Sequence, residues 1–344
     1  VLRPYIVLAF MAAMTFPSTI WQGFSEKTAH AAVEPTKLQS RSDFAHPQLI
    51  YTLHGHGGTV KSLAFSPDSK ILASGGAENE GVIRLWNLTT GNRVGTIRKA
   101  HKTAVESLVI SPDGQTLASC SSDYTINLWN LKNQKFKRSF VGHSTNVLSL
   151  AVSPDNQVLV SGAMDGIRLW DLPQQRPLAT LASFGNLIHT LAVSPDGKTL
   201  ASGDYQGVVK LWNLGSEKLI RAYVGHVDLV TTVAFTPDGK NLITASRDRT
   251  IKIWNIYTGE LVRTLKGHNN WVNAIAINPD GKTLASAGKD GIKLWDWTTG
   301  ELITTLNEHT DWVSAIAFSP NGQMLASGSF DKQIKVWGIA PKLN

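Results

Sequence analysis

The feature that most constrains this chain is a repeated period. Residues opening an S-P-D-G-like turn recur at Ser66, Ser111, Ser153, Ser194, Thr236, Asn278 and Ser319, with successive gaps of 45, 42, 41, 42, 42 and 41 residues. Seven tryptophans, Trp86, Trp129, Trp170, Trp212, Trp254, Trp295 and Trp337, keep the same beat. A period of this size marks a solenoid, a propeller or an array, and it overrides any reading of single elements.

Each copy divides into four short runs rich in apolar and β-branched residues. In the sixth they are Val272 to Ile277, Thr283 to Ala287, Gly291 to Trp295 and Glu301 to Leu306, separated by turn residues, as antiparallel strands require. The turn Asn278-Pro279-Asp280-Gly281 uses Pro for its fixed φ and Gly for the last turn position. A lone four-stranded sheet with apolar side chains on both faces buries too little. Stacking seven such sheets face to face around an axis covers them all. The predicted fold class is therefore all-β: a seven-bladed β-propeller whose blades are four-stranded antiparallel sheets.

Gly-His near the start of each copy, S-P-D-G in its middle and W-D or W-N at its end resemble the WD-repeat β-propeller family. The resemblance runs from Pro47 to the C-terminus and is specific for fold, far less so for function. It implies a hydrogen-bonded tetrad of His, Ser or Thr, Asp and Trp within each blade. The second blade offers His101, Ser119, Asp123 and Trp129, and the third His143, Ser161, Asp165 and Trp170. The fifth has His226, Thr244, Asp248 and Trp254, the sixth His268, Ser286, Asp290 and Trp295, and the seventh His309, Ser327, Asp331 and Trp337. Two blades depart from the pattern. The first keeps His56, Ser74 and Trp86 but has Glu80 as the acid, and the fourth has Phe184 for His and Gln206 for Asp. Ser, His and Asp together can form a nucleophilic triad, but five copies of one constellation around a ring read as scaffolding.

One propeller uses nearly all of the 344 residues, so a single large domain is expected over 47–340, with 341–344 as a tail. Apolar residues at 42% and charged ones at 17% suit a packed globular chain. Gln48 to Leu53 matches the fourth strand of a copy, and the last copy lacks that strand. The N-terminal strand is thus expected to complete the last blade, closing the ring and removing an exposed edge. Residues 32–46 are polar and aperiodic and read as a linker. Residues 1–31 combine Arg3, the twelve-residue apolar run Tyr5 to Phe16 and Ala29-His30-Ala31, a signal-peptide pattern too short to span a bilayer. Export to the periplasm or the outside of the cell is the expectation, with the cytoplasm as the alternative. The sole Cys120 allows no intrachain disulfide.

No P-loop, zinc spacing or nucleotide fingerprint is present, so no cofactor, no metal and no catalytic residue is expected. From each tetrad Trp to the next His position the spacing is 14 residues, or 15 once, leaving no room for an inserted lid. The loop from Gly75 to Gly81, carrying Glu78 and Glu80, is the one elaboration. The net charge of +7 is spread around the ring, as in Arg84, Arg168, Lys210, Lys252, Lys293 and Lys335, each two before a tetrad Trp. That distribution argues against a nucleic-acid reader.

In the resembled family the loops holding His and Asp form the usual docking face. There the later blades carry Trp271, Trp312, Arg247, Lys289 and Phe330, residue types enriched in binding hot spots, where earlier blades have Thr59, Ser122 and Asn146. The expected function is a non-enzymatic platform for a protein or peptide partner, with its site off-centre over blades five to seven. The alternative is an exported ligand- or carbohydrate-handling propeller with a site near the axis.

Overall fold

The computed structural model describes residues 44, 46–77, 80–182 and 187–339. The signal-like segment, most of the linker stretch, the C-terminal tail, Glu78 and Phe184 lie outside these residues. Among them are twenty-eight strands in seven four-stranded antiparallel sheets, and no helix. The first strands of successive blades touch, and the seventh blade's first strand touches that of the first blade, so the ring is closed.

Burial explains why each blade has its residue pattern. The first strand faces the axis, the second is enclosed on both sides, and the fourth lies at the rim. The second strand of blade six, Thr283–Gly288, is buried at every position, so it reads T-L-A-S-A-G and not as an apolar and polar alternation. Small side chains let the flanking blades approach closely. The rim strand Glu301–Leu306 has its first residues exposed and only its last buried. Apolar side chains gather in seven clusters, each spanning the seam between two blades. The seam from blade seven to blade one holds Val60, Leu72 and Trp86 of blade one against Leu53, Ala326, Ile334 and Val336 of blade seven.

The strand Gln48–Leu53 pairs antiparallel with Ile334–Gly338 and completes the sheet that begins at Val313–Phe318. Leu53 pairs with Ile334 and Tyr51 with Val336, which sets Leu53 into the seam. Phe44, from the stretch read as linker, is 1% exposed and packs in the seam between blades six and seven. Its ring meets Phe318 edge-on at 5.2 Å. It stands four residues before its rim strand, as Leu88, Leu172, Leu214 and Trp297 stand before theirs, so the period reaches into the stretch read as linker.

One boundary differs from the sequence reading in a way that matters. The first strand of blade six spans Ala274–Ile277, not Val272 to Ile277. The first strands of the other six blades have a register shift at the matching place, between Val60 and Ser62 or between Val105 and Ser107, for example. A bulge leaves one residue outside the ladder and re-aims its side chain.

Candidate functional site

The polar chains inside the blades come first, because they hold the loops that form the upper face. In the third blade Trp170 Nε1 lies 2.9 Å from Ser161 Oγ, Ser161 Oγ lies 2.7 Å from His143 Nε2, and His143 Nδ1 lies 2.6 Å from Asp165. An indole N–H can only donate, so the Ser hydroxyl donates on to Nε2, and the Nδ1–H donates to the carboxylate. The backbone N–H of Ser144 closes the loop onto Asp165 at 2.8 Å. The second, fifth and sixth blades have the same links, ending on Asp123, Asp248 and Asp290.

Protonation follows the same geometry. Burial pushes His143, His268 and His309 below the ordinary imidazole range, and their hydrogen bonds to Asp only partly offset it. Burial works against ionising Asp123 and Asp248 too. Hydrogen bonds from His101 and Thr125, and from His226 and Thr250, prevail and hold both carboxyls well below their usual range. In the third, sixth and seventh blades, where Asp165, Asp290 and Asp331 are likewise lowered, the result is a neutral imidazole beside a carboxylate. Each hydroxyl in the chain, such as Ser119, Ser161 or Ser286, is wholly buried, so these constellations present no exposed nucleophile.

Three blades differ. In the first, Glu80 receives His56 at 3.1 Å, and Arg84 reaches both Glu80 at 2.6 Å and His56 Nδ1 at 2.8 Å. The longer Glu side chain spans the enlarged loop, and Arg84, whose spacing suggested a spread surface charge, is buried. In the fourth blade Asp204, not Gln206, takes the backbone N–H groups of Gln206 and Val208, both at 2.9 Å, while Trp212 still donates to Ser202 at 2.9 Å. In the seventh, His309 reaches Ser327 at 2.6 Å and Asp331 at 2.7 Å. Here the expected link from Trp to Ser is missing: among the described residues the buried Trp337 indole N–H has no hydrogen-bond partner.

The bulges of the first strands build the mouth of the axial channel. Lys61, Glu106, Leu148 and His189 occupy the bulge position in blades one to four, followed by Thr231, Asn273 and Ser314, and all seven line one cavity of about 550 Å³. Lys61 and Glu106 pair at 2.9 Å, and Ser122 donates to Glu106 at 2.7 Å. Thr231 and Ser314 spend their hydroxyl protons on the backbone carbonyls of Val272 and Val60, and Asn273 spends one amide N–H on that of Val313. The sequence reading passed over this ring. Its signal is a position that changes from Lys to Glu, Leu, His, Thr, Asn and Ser directly after a Val or Ile.

The residues singled out on the loops meet on one side of that mouth. Trp271 and Trp312 pack with ring centroids 5.3 Å apart. Arg247, from blade five, lies 4.5 Å over Trp271 of blade six, and Lys289, from blade six, lies 5.7 Å over Trp312 of blade seven. Arg247, Trp271, Trp312 and Phe330 also line the axial cavity, whereas Lys289 is not among its lining residues. Trp271 and Phe330 stay 43% and 45% exposed. On the outer side of Trp271 and Arg247 a second cleft of about 380 Å³ holds Asp228, Asp248 and Arg249.

The described residues thus form a closed seven-bladed propeller with internal hydrogen-bonded chains and an aromatic and cationic ridge at its mouth. The description "WD domain, G-beta repeat" matches residues 47–87, 91–130, 134–171, 175–213, 217–255, 259–296 and 300–338. The chain belongs to the WD-repeat family. Each matched unit starts on the rim strand of one blade and ends on the third strand of the next, so consecutive units interlock.

Among curated relatives, DDB1- and CUL4-associated factor 13 of Dictyostelium discoideum is 39% identical over 101 residues, 29% of this chain and 21% of that protein. Small ribosomal subunit protein RACK1z of Oryza sativa subsp. japonica is 36% identical over 87 residues, 25% of each chain. Nuclear distribution protein nudF 2 of Aspergillus clavatus is 40% identical over 84 residues, 23% of this chain and 19% of that protein. The matched stretches thus span about a fifth to a quarter of these relatives. Among the described residues no helix is long and apolar enough to cross a membrane.

Proposed function

We propose that this protein is a non-enzymatic interaction platform that receives a protein or peptide partner on its upper face, over blades five to seven. The observation that carries this reading is the ridge Arg247, Trp271, Trp312 and Lys289 with Phe330 at its end. Large half-exposed aromatic rings with cations stacked on them offer contact area at low entropic cost, the composition of a hot spot. The stacking also pre-organises the ridge, since each cation from one blade is held on the next blade's indole. Basic residues outside the ridge lie around the ring, and several are buried, including Arg84, Lys293 and Lys335, which speaks against nucleic acid as the partner.

For location, two of the relatives are by name a small ribosomal subunit protein and a nuclear distribution protein. That supports the cytoplasmic alternative over export. The test of the platform reading is affinity capture from cells, comparing the intact chain with Trp271→Ala/Trp312→Ala. Loss of recovered partners with unchanged far-UV circular dichroism is expected. Undiminished recovery by the folded double variant would refute the site.

A further inference from the structure

The chemistry around the ridge says what kind of segment it takes, granted the docking reading above. The guanidinium of Arg247 has one face on Trp271, and among the described residues neither its N–H edge nor the Lys289 ammonium has a hydrogen-bond or ion-pair partner. The nearby carboxylates are engaged. Glu106 serves Lys61 and Ser122, Asp248 serves His226 and Thr250, and Asp290 serves His268. The outer cleft balances Arg247 and Arg249 against Asp228 and Asp248. On the axial side Lys61 is set against Glu106, and no other carboxylate among the described residues lines the cavity to face Arg247. Beside Arg247 in that cavity, the Nδ1 of His189 is buried with no hydrogen-bond partner. Of its other neighbours on the cavity wall, Thr231 and Ser314 give their one hydroxyl proton to backbone, and Asn273 gives one of its two amide N–H groups there.

We infer that the partner segment is an acidic peptide: an Asp or Glu carboxylate enters the axial cavity onto the open edge of Arg247, next to His189, while an adjoining apolar residue lies on Trp312 and Phe330. A carboxylate takes two parallel N–H bonds from a guanidinium. An imidazole can place its proton on Nδ1 and donate to the same group. Arg247 already rests on an indole, so little of its side-chain freedom remains to be lost on binding.

The experiment is selection of a random heptapeptide display library on the folded full chain at low and moderate salt. Recovered peptides are expected to carry Asp or Glu next to an aromatic or aliphatic residue and to weaken at higher salt. Replacing their Asp or Glu by Asn or Gln is expected to weaken binding about tenfold or more, the size of a charge-assisted contact. Arg247→Leu, with an unchanged circular dichroism spectrum, is expected to do the same. Because the peptide change requires no protein variant, the inference is exposed even if Arg247→Leu misfolds. Peptides free of acidic residues, or indifferent to the amide change, overturn the inference. If such peptides are still lost on Trp271→Ala/Trp312→Ala, the docking reading survives alone. Peptides that bind the double variant undiminished, or no enrichment at all, sink both.

Discussion

The polar chains in the blades allow one perturbation to be sized against an internal control. In the third blade Ser161 accepts from the Trp170 indole at 2.9 Å and reaches His143 Nε2 at 2.7 Å. Ser161→Ala strands two buried polar groups, the indole N–H and the imidazole nitrogen. An unsatisfied buried group costs about 1–3 kcal/mol, so the loss from two should reach about 2–6 kcal/mol. In the seventh blade Ser327 has only the His309 link, because the Trp337 N–H is already without a partner. Ser327→Ala strands one group and should cost about half as much, about 1–3 kcal/mol. Both serines are wholly buried, and the two substitutions delete the same atom, so the transfer term cancels between them. Urea unfolding at pH 7 followed by far-UV circular dichroism gives the two midpoints. A loss for Ser327→Ala equal to or greater than that for Ser161→Ala would refute the argument that counted links set the cost.

Two further outcomes are expected. Burial, with Arg84 alongside, lowers His56 from 6.5 to about 4 despite the Glu80 hydrogen bond, and Arg93 adds to the shift. A folded pKa below the unfolded one makes its stabilisation complete above about 6.5 and lost as pH falls toward 4, about 3 kcal/mol in all. Urea midpoints at pH 7, 6, 5 and 4 should therefore fall before the carboxylates titrate, and a flat profile down to pH 4 would contradict this. Deleting residues 47–53 should free the outer edge of Ile334–Gly338 and open the Leu53 seam, broadening the single unfolding transition. An unchanged melting curve would count against ring closure by that strand.

Repetition made most of the fold legible and hid part of the site. Seven turns and seven tryptophans in register fix blade number, and the unmatched strand Gln48–Leu53 points to the closure seen with Ile334–Gly338. What repetition could not give is anything set by three-dimensional register or masked by local composition. Phe44 lies in a polar stretch that hides its place in the period, four residues before a rim strand like Leu88, Leu172, Leu214 and Trp297, and it fills a seam. Arg84 occupies a position that is basic in five other blades, and only the Glu80 loop turns it into part of a buried cluster. The displaced acid of blade four, Asp204, lies two residues before the aligned position, where spacing alone assigns Gln206.

The bulge ring shows why function is the harder inference in such a chain. Residues that repeat are those that every seam needs: Trp on the third strand, Ser or Thr on the second, Val or Ile beside the axis. Selection for packing holds them alike, so they say little about a partner. The positions free to differ are the ones no seam uses, namely the bulge residue and the loop positions beside each His and Asp. At those positions blades one to three carry Ala77, Ser122 and Met164, whereas blades five to seven carry Arg247, Lys289 and Phe330. A ring of equivalent wedges thus acquires one distinct side only through residues the fold leaves unconstrained. Changes there, such as Trp271→Ala/Trp312→Ala, should alter recognition while leaving the blades' hydrogen-bonded chains and seams in place.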